Sequence, residues 1–217
     1  MEKVEKVLSY YMLCNRLKDL IRKGWLDWNV QRTRIESVAE HVYGAEQLAL
    51  IMWSEYNYDV DIKKVIMMLA IHELEETIIG DLTPYEIDKE TKEKLGHKAV
   101  HEILDGINMG ESIEDMILEF DERKTKEAKF AYMCDKLECD LQCKLYDEEG
   151  CVDIEFQEDN PIAKTPRVKK LIDEGKKWSE MWLENDRAVC GFDDKFKEVS
   201  EYAEKNEVYM LKLHKTK

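Results

Sequence analysis

Two imidazoles and two carboxylates stand out along this chain: His41, the adjacent pair His72-Glu73, and Asp135. Together they suit one divalent transition ion, with coordination positions left over for water and a substrate. Each residue alone has an ordinary explanation. His41 passes for a surface histidine in a polar first turn, although the positive end of a helix dipole disfavours its protonated form and so suits a ligand. His72, Glu73 and the nearby Glu76 prolong, at helical spacing, the apolar stripe of Ile62, Val65, Ile66 and Leu69. A core stripe that turns ionisable must pair those groups, bind a metal with them or open into a pocket, unless the helix simply surfaces there. Asp135 lies mid-helix beside Cys134 at the edge of another apolar stripe. A lysine salt bridge or a partner in a site would explain it.

The elements that must hold these residues read as helices throughout. Residues 2–22 form a first helix with Val4, Val7, Leu8, Tyr11, Leu17, Leu20 and Ile21 as its apolar positions, stopped at Gly24. A connector over 25–36 carries two tryptophans and two arginines, the kind of loop that binds ligands or caps a core. Ser37-Val38-Ala39-Glu40 is a capping box, so a helix starts there, carries His41 in its first turn and runs to about Tyr56. Asp61 caps the central helix, which ends at Gly80-Asp81-Leu82-Thr83-Pro84, where Pro84 forbids continuation. A helix from Lys89 to Ile107 has Leu95, Ala99, Val100, Ile103, Leu104 and Ile107 as core positions. It also carries His97 and His101 at i, i+4, either a surface pair or part of a second cation site. Ser112–Phe120 and Glu127–Tyr146 are the next helices, and residues 147–160 read as an acidic loop. Thr165-Pro166 opens a helix directing Val168, Leu171, Ile172, Trp178 and Trp182 inward, and a last helix spans 193–205.

Composition agrees with an all-α chain. At 217 residues it can bury one sizeable core with C-terminal elaboration, and 9 Gly and 3 Pro are few for a turn-rich β fold. A formal net charge of -15 argues against nucleic acid or an anionic membrane as partner and fits a protein that handles small molecules. A phosphate ligand would then need a cation or a local basic patch. The chain opens without a signal peptide's apolar core, and its longest clean apolar run, Val65–Ile71, is too short for a bilayer, so a cytoplasmic setting is expected. Six cysteines at these spacings predict free thiols, and Cys139 with Cys143 is only half a zinc site.

In order, Arg22-Lys23-Gly24-Trp25, Asn29-Val30-Gln31-Arg32, Arg34 to His41, His72-Glu73 with Glu76 and Gly80-Asp81, and Glu127-Ala128-Lys129-Phe130 leading to Asp135 make a combination far rarer than any one piece. On these residues the chain resembles the HD-domain metal-dependent phosphohydrolases, specifically their 5'-deoxynucleotidase branch, over roughly residues 5–185. The resemblance departs from the family at Glu73, where the family pairs His with Asp, and in a connector about two residues longer near Arg32-Thr33-Arg34.

The resemblance implies an HD-domain helical bundle over 1–185 with extra C-terminal helices over 186–217 packed on it. It implies that His41, His72, Glu73 and Asp135 hold one divalent transition ion such as Co²⁺ or Mn²⁺, and that Glu76 positions water and transfers protons. Asp81 would lie near the sugar. Arg22 would contact the phosphate and Trp25 would screen the sugar, excluding a 2'-hydroxyl. It also implies a small nucleotide substrate and a homodimer. The activity expected is hydrolysis of deoxyribonucleoside 5'-monophosphates. Alternatives are another nucleotide or phosphate ester at the same site, or a degenerate domain that binds nucleotide without turnover.

Overall fold

Local signals set where the helices begin. In the computed structural model, which describes residues 2–83, 86–157 and 159–208, the Ser37 hydroxyl accepts from the Glu40 N–H while the Glu40 carboxylate accepts from the Ser37 N–H. That reciprocal cap starts a 19-residue helix. Asp61 caps the next helix by accepting from the N–H groups of Lys63 and Lys64, and Asp88 caps a third through Thr91. The helices in order are α1 (Lys3–Cys14), α2 (Lys23–Asp27), α3 (Val38–Tyr56), α4 (Ile62–Ile71), α5 (Glu76–Ile79), α6 (Lys89–Leu104), α7 (Gly110–Glu122), α8 (Lys126–Glu148), α9 (Pro166–Asp173), α10 (Trp178–Val189) and α11 (Asp194–Lys205). No strand occurs among the described residues, and one isolated antiparallel bridge joins Ile21 to Ser37. The fold is all-α.

Several elements differ from what periodicity predicts. The first helix stops at Cys14 and passes into a 3-10 turn over Asn15–Lys18, and Gly24 lies inside the short α2 instead of ending α1. Val4, Val7, Leu8 and Tyr11 are exposed, whereas Tyr10 and Cys14 of the same helix pack against buried core residues. Leu95 is likewise exposed, while Ala99, Val100 and Leu104 are buried. The helix expected through Trp182 breaks into α9 and α10 at Gly175, whose φ of 76° a residue with a side chain rarely adopts. None of α9 is fully buried, whereas Trp178 of α10 is. The central helix ends at Ile71, and Pro84 lies outside the described residues.

The chain divides into two compact units, Met1–Leu26 with Arg34–Asp135, and Asp27–Thr33 with Lys136–Lys217. In the first, α3 packs on α4, α4 on α7, and α6 on α5 and α7. Leu74, Val100, Leu104 and Ile117 form a buried cluster backed by Tyr10, Ile71, Ile103 and Ile113. Each such side chain contributes about 1.5–3 kcal/mol on burial, so this cluster holds α6 and α7 against the turn that carries His72 and Glu73. In the second unit, Trp28 packs against Trp178 with centroids 5.7 Å apart, and Arg187 of α10 reaches Ser200 and Glu204 of α11.

Candidate metal centre

Four segments of the first unit bring the site together. The backbone N–H of Val38 donates to the Leu20 carbonyl (2.8 Å) and that of Arg22 to the Glu36 carbonyl (3.1 Å), tying Arg22 to the start of α3. His41 sits one turn into α3, fully buried. After Ile71 the chain continues in tightened turns, with N–H groups of Leu74, Glu76, Thr77 and Ile78 each bonding three residues back. A tighter turn rotates successive residues further than an α-helix does, so the residues of 72–76 that face inward are not those of a continued stripe. His72 and Glu76 are nevertheless buried, and Asp135 comes in from α8.

One ligand atom from each of His41, His72, Glu73 and Asp135 lies within 4.8 Å of the other three. His41 Nε2 is 3.0 Å from Asp135 Oδ1 and 3.7 Å from Glu73 Oε1. His72 Nε2 is 3.7 Å from both of those oxygens. Its other nitrogen, Nδ1, donates to the Leu69 carbonyl at 2.7 Å, which orients the ring and leaves Nε2 as the nitrogen near the carboxylates. That buried Nε2 has no hydrogen-bond partner. An orphaned imidazole nitrogen facing two carboxylates and a second imidazole fits a divalent transition ion in donor type and spacing. His97 and His101 do not join this group. They pair instead with Asp121 (2.8 Å) and Glu114 (3.3 Å) of α7.

The charge balance is unusual. Burial opposes ionisation of Glu73, but His72, Arg22 and His41 outweigh it and bring its pKa down to about 2. Burial works against a charged His72 as well, and there Asp135 and Glu73 prevail and hold its pKa above the ordinary value. Glu76 goes the other way: burial, with Glu73 and Asp81 beside it, keeps its carboxyl well above the usual range. Carboxyls pushed in opposite directions within one site are the pattern of an acid–base residue next to fixed anions.

Arg22 donates through Nη1 to Glu73 Oε1 at 2.9 Å, and its Nε is 3.9 Å from Asp81 Oδ2. Asp81 also accepts from the Lys23 N–H at 2.8 Å. Trp25 is almost wholly buried, and its indole N–H donates to Glu36 Oε2 at 2.8 Å. The structure thus gathers Arg22, Glu73 and Asp81 by direct contact and fixes the orientation of the Trp25 ring. Sequence reasoning missed three residues. Glu36 lies within a recognised segment but carried no role, although a carboxylate beside two connector tryptophans was a usable signal. Glu75, half-buried with its Oε2 buried and unpartnered, and Lys92 gave none, since Lys92 resembles any other of the 33 basic residues.

Residues 14–176 match the model of the HD domain family. The chain belongs to that family. Its relatives there include the 5'-deoxynucleotidase HDDC2 of Dictyostelium discoideum, 32% identical over 150 residues that cover 65% of this chain and 78% of that protein. The 5'-deoxynucleotidase hdd1 of Schizosaccharomyces pombe is 30% identical, covering 66% of this chain and 73% of that one. Within the family the chain falls in the 5'-deoxynucleotidase branch. A solved predicted metal-dependent phosphohydrolase from Magnetospirillum magnetotacticum shares the fold with a TM-score of 0.60 at 20% identity, over 93% of this chain and 94% of that one.

Proposed function

We propose that this chain is a metal-dependent phosphomonoesterase that hydrolyses deoxyribonucleoside 5'-monophosphates to deoxynucleoside and inorganic phosphate. The observation that carries the reading is the convergence of His41, His72, Glu73 and Asp135 on one point with a buried, partnerless imidazole nitrogen among them. The names of its relatives support the substrate class. These four residues would hold a single Co²⁺, Mn²⁺ or similar ion, whose charge the two carboxylates balance. When bound, such an ion supplies Lewis acidity toward phosphate oxygens and a lowered pKa for water.

The protein's own groups supply the rest. Glu76 takes a proton from the attacking water as the new P–O bond forms and returns one to the 5'-oxygen as the old bond breaks. A carboxyl held above its ordinary pKa is suited to both transfers. Arg22, already between two carboxylates, turns its guanidinium to the phosphate. Asp81 lies toward the sugar, and Trp25, its ring held by Glu36, forms the wall that a 2'-hydroxyl would strike. A homodimer in the cytoplasm completes the proposal. The exposed Val4, Val7, Leu8 and Tyr11 of α1 offer an apolar face for the second copy, and all six cysteines stand as thiols. Among the described residues no helix is long and apolar enough to cross a membrane.

The test is phosphate release from dAMP and AMP by metal-stripped protein with Co²⁺, Mn²⁺, Mg²⁺ or Zn²⁺ restored in turn, beside His72→Ala and Trp25→Ala. Metal-dependent release that favours dAMP, absent in His72→Ala and with its preference lost in Trp25→Ala, is expected. An active His72→Ala would put the site elsewhere.

A further inference from the structure

Lys92 stands in the first turn of α6, three residues beyond the helix's first residue. A cation there opposes the helix dipole, so its position needs another reason. Its Nζ donates to the Leu82 carbonyl at 2.8 Å and lies 3.4 Å from Glu76 Oε1. Glu76 Oε2, by contrast, is buried with no partner. A glutamate's terminal torsion is broad and roughly two-fold, so nothing intrinsic to Glu76 tells its two oxygens apart. Lys92 does so by engaging one and leaving the other unengaged. The same ammonium holds the segment that carries Asp81, because Leu82 follows it directly.

We infer that Lys92 is a positioning residue for the proposed phosphatase: it ties Glu76 Oε1 and the Leu82 carbonyl to α6, so that Glu76 presents Oε2 to the reacting water and Asp81 keeps its place. The inference rests on the phosphomonoesterase reading and deepens it. Because the ammonium acts on the proton-transferring carboxylate and not on the substrate, its loss slows turnover and leaves binding of substrate and metal alone. A misdirected acid–base group costs up to about a hundredfold.

The experiment compares wild type, Lys92→Met and Lys92→Arg in steady-state hydrolysis of dAMP, in Mn²⁺ titration of the metal-stripped protein and in thermal melting. Lys92→Met keeps the stem without the charge, and as the side chain is partly exposed its fold should survive. Expected are a kcat lowered about 10- to 100-fold with KM within about 2-fold, unchanged Mn²⁺ affinity, and substantial recovery in Lys92→Arg. A raised KM at unchanged kcat would overturn the inference by making Lys92 a phosphate contact. So would unaltered kinetics, or a kcat loss accompanied by a lost fold that Lys92→Arg does not restore. An active wild type beside an indifferent Lys92→Met removes only the positioning role. A wild type that releases no phosphate from dAMP with any ion overturns the reading and the positioning role together.

Discussion

Glu73→Asp removes one methylene from the carboxylate that joins Arg22 to the proposed ligand set. A C–C bond of about 1.5 Å means the carboxylate retreats by about 1.3 Å if the backbone stays in place. Arg22 Nη1, now 2.9 Å from Oε1, would then lie about 4.2 Å away. At an effective dielectric constant of about 20, that change weakens the Coulomb attraction by about 2 kcal/mol. Both side chains are about one-seventh exposed, so water screens part of this, leaving a net loss of about 1 kcal/mol and a melting temperature lower by roughly 2–4 °C. The effect on metal is larger. Ligand distances tolerate only about 0.2 Å, so an oxygen withdrawn by several times that should weaken Mn²⁺ or Co²⁺ binding by about tenfold or more. Titration of the metal-stripped variant, with melting curves on the same samples, measures both. If Glu73→Asp binds metal as tightly as wild type and melts at the same temperature, the longer side chain is not what spans from Arg22 to the histidines, and the geometry assigned to the site is wrong.

Two further outcomes follow from groups outside the ligand set. Burial, with Glu73 nearby, pushes the Glu75 carboxyl up to about 8. Its folded pKa exceeds its unfolded one, so its contribution to stability is complete below about pH 4.5 and is lost as pH rises through about 8. Glu75→Gln should therefore melt like wild type near pH 4 and several degrees higher above pH 8; coincident melting curves across that range would contradict the shift. At Gly110 an added Cβ would run into the Leu104 carbonyl oxygen at the joint between α6 and α7. Gly110→Ala should cost about 1–3 kcal/mol in urea denaturation, and an unchanged midpoint would show that the joint can open.

Signals that act over one turn were legible in the sequence. Ser37 with Glu40 and Asp61 needed nothing beyond their neighbours to start α3 and α4, and both helices begin there. The residues that the fold gathers at the candidate site could also be picked out, because imidazole and carboxylate announce their chemistry by type and the ordered segments around them are rare. Where an apolar stripe ends, or whether anything covers it, was not. Val4, Val7 and Leu8 make as regular a stripe as Val65 and Leu69, yet the first three are exposed and the last two are buried. The continuation past Ile71 failed for a related reason, since periodicity does not say when a helix tightens into turns.

What the sequence determined by itself, then, is the all-α character, the main helix starts and the kinds of residue that could bind a metal. The tertiary structure alone decided that Arg22 meets Glu73 across 51 residues and His41 meets Asp135 across 94. It also decided that Glu36 fixes Trp25 and that Lys92 reaches Glu76. Helix starts depend on bonds within three or four residues and can be read there. Ionisable groups acquire their partners, and so their charge, from burial and from segments distant along the chain, which exist together only once the chain has folded.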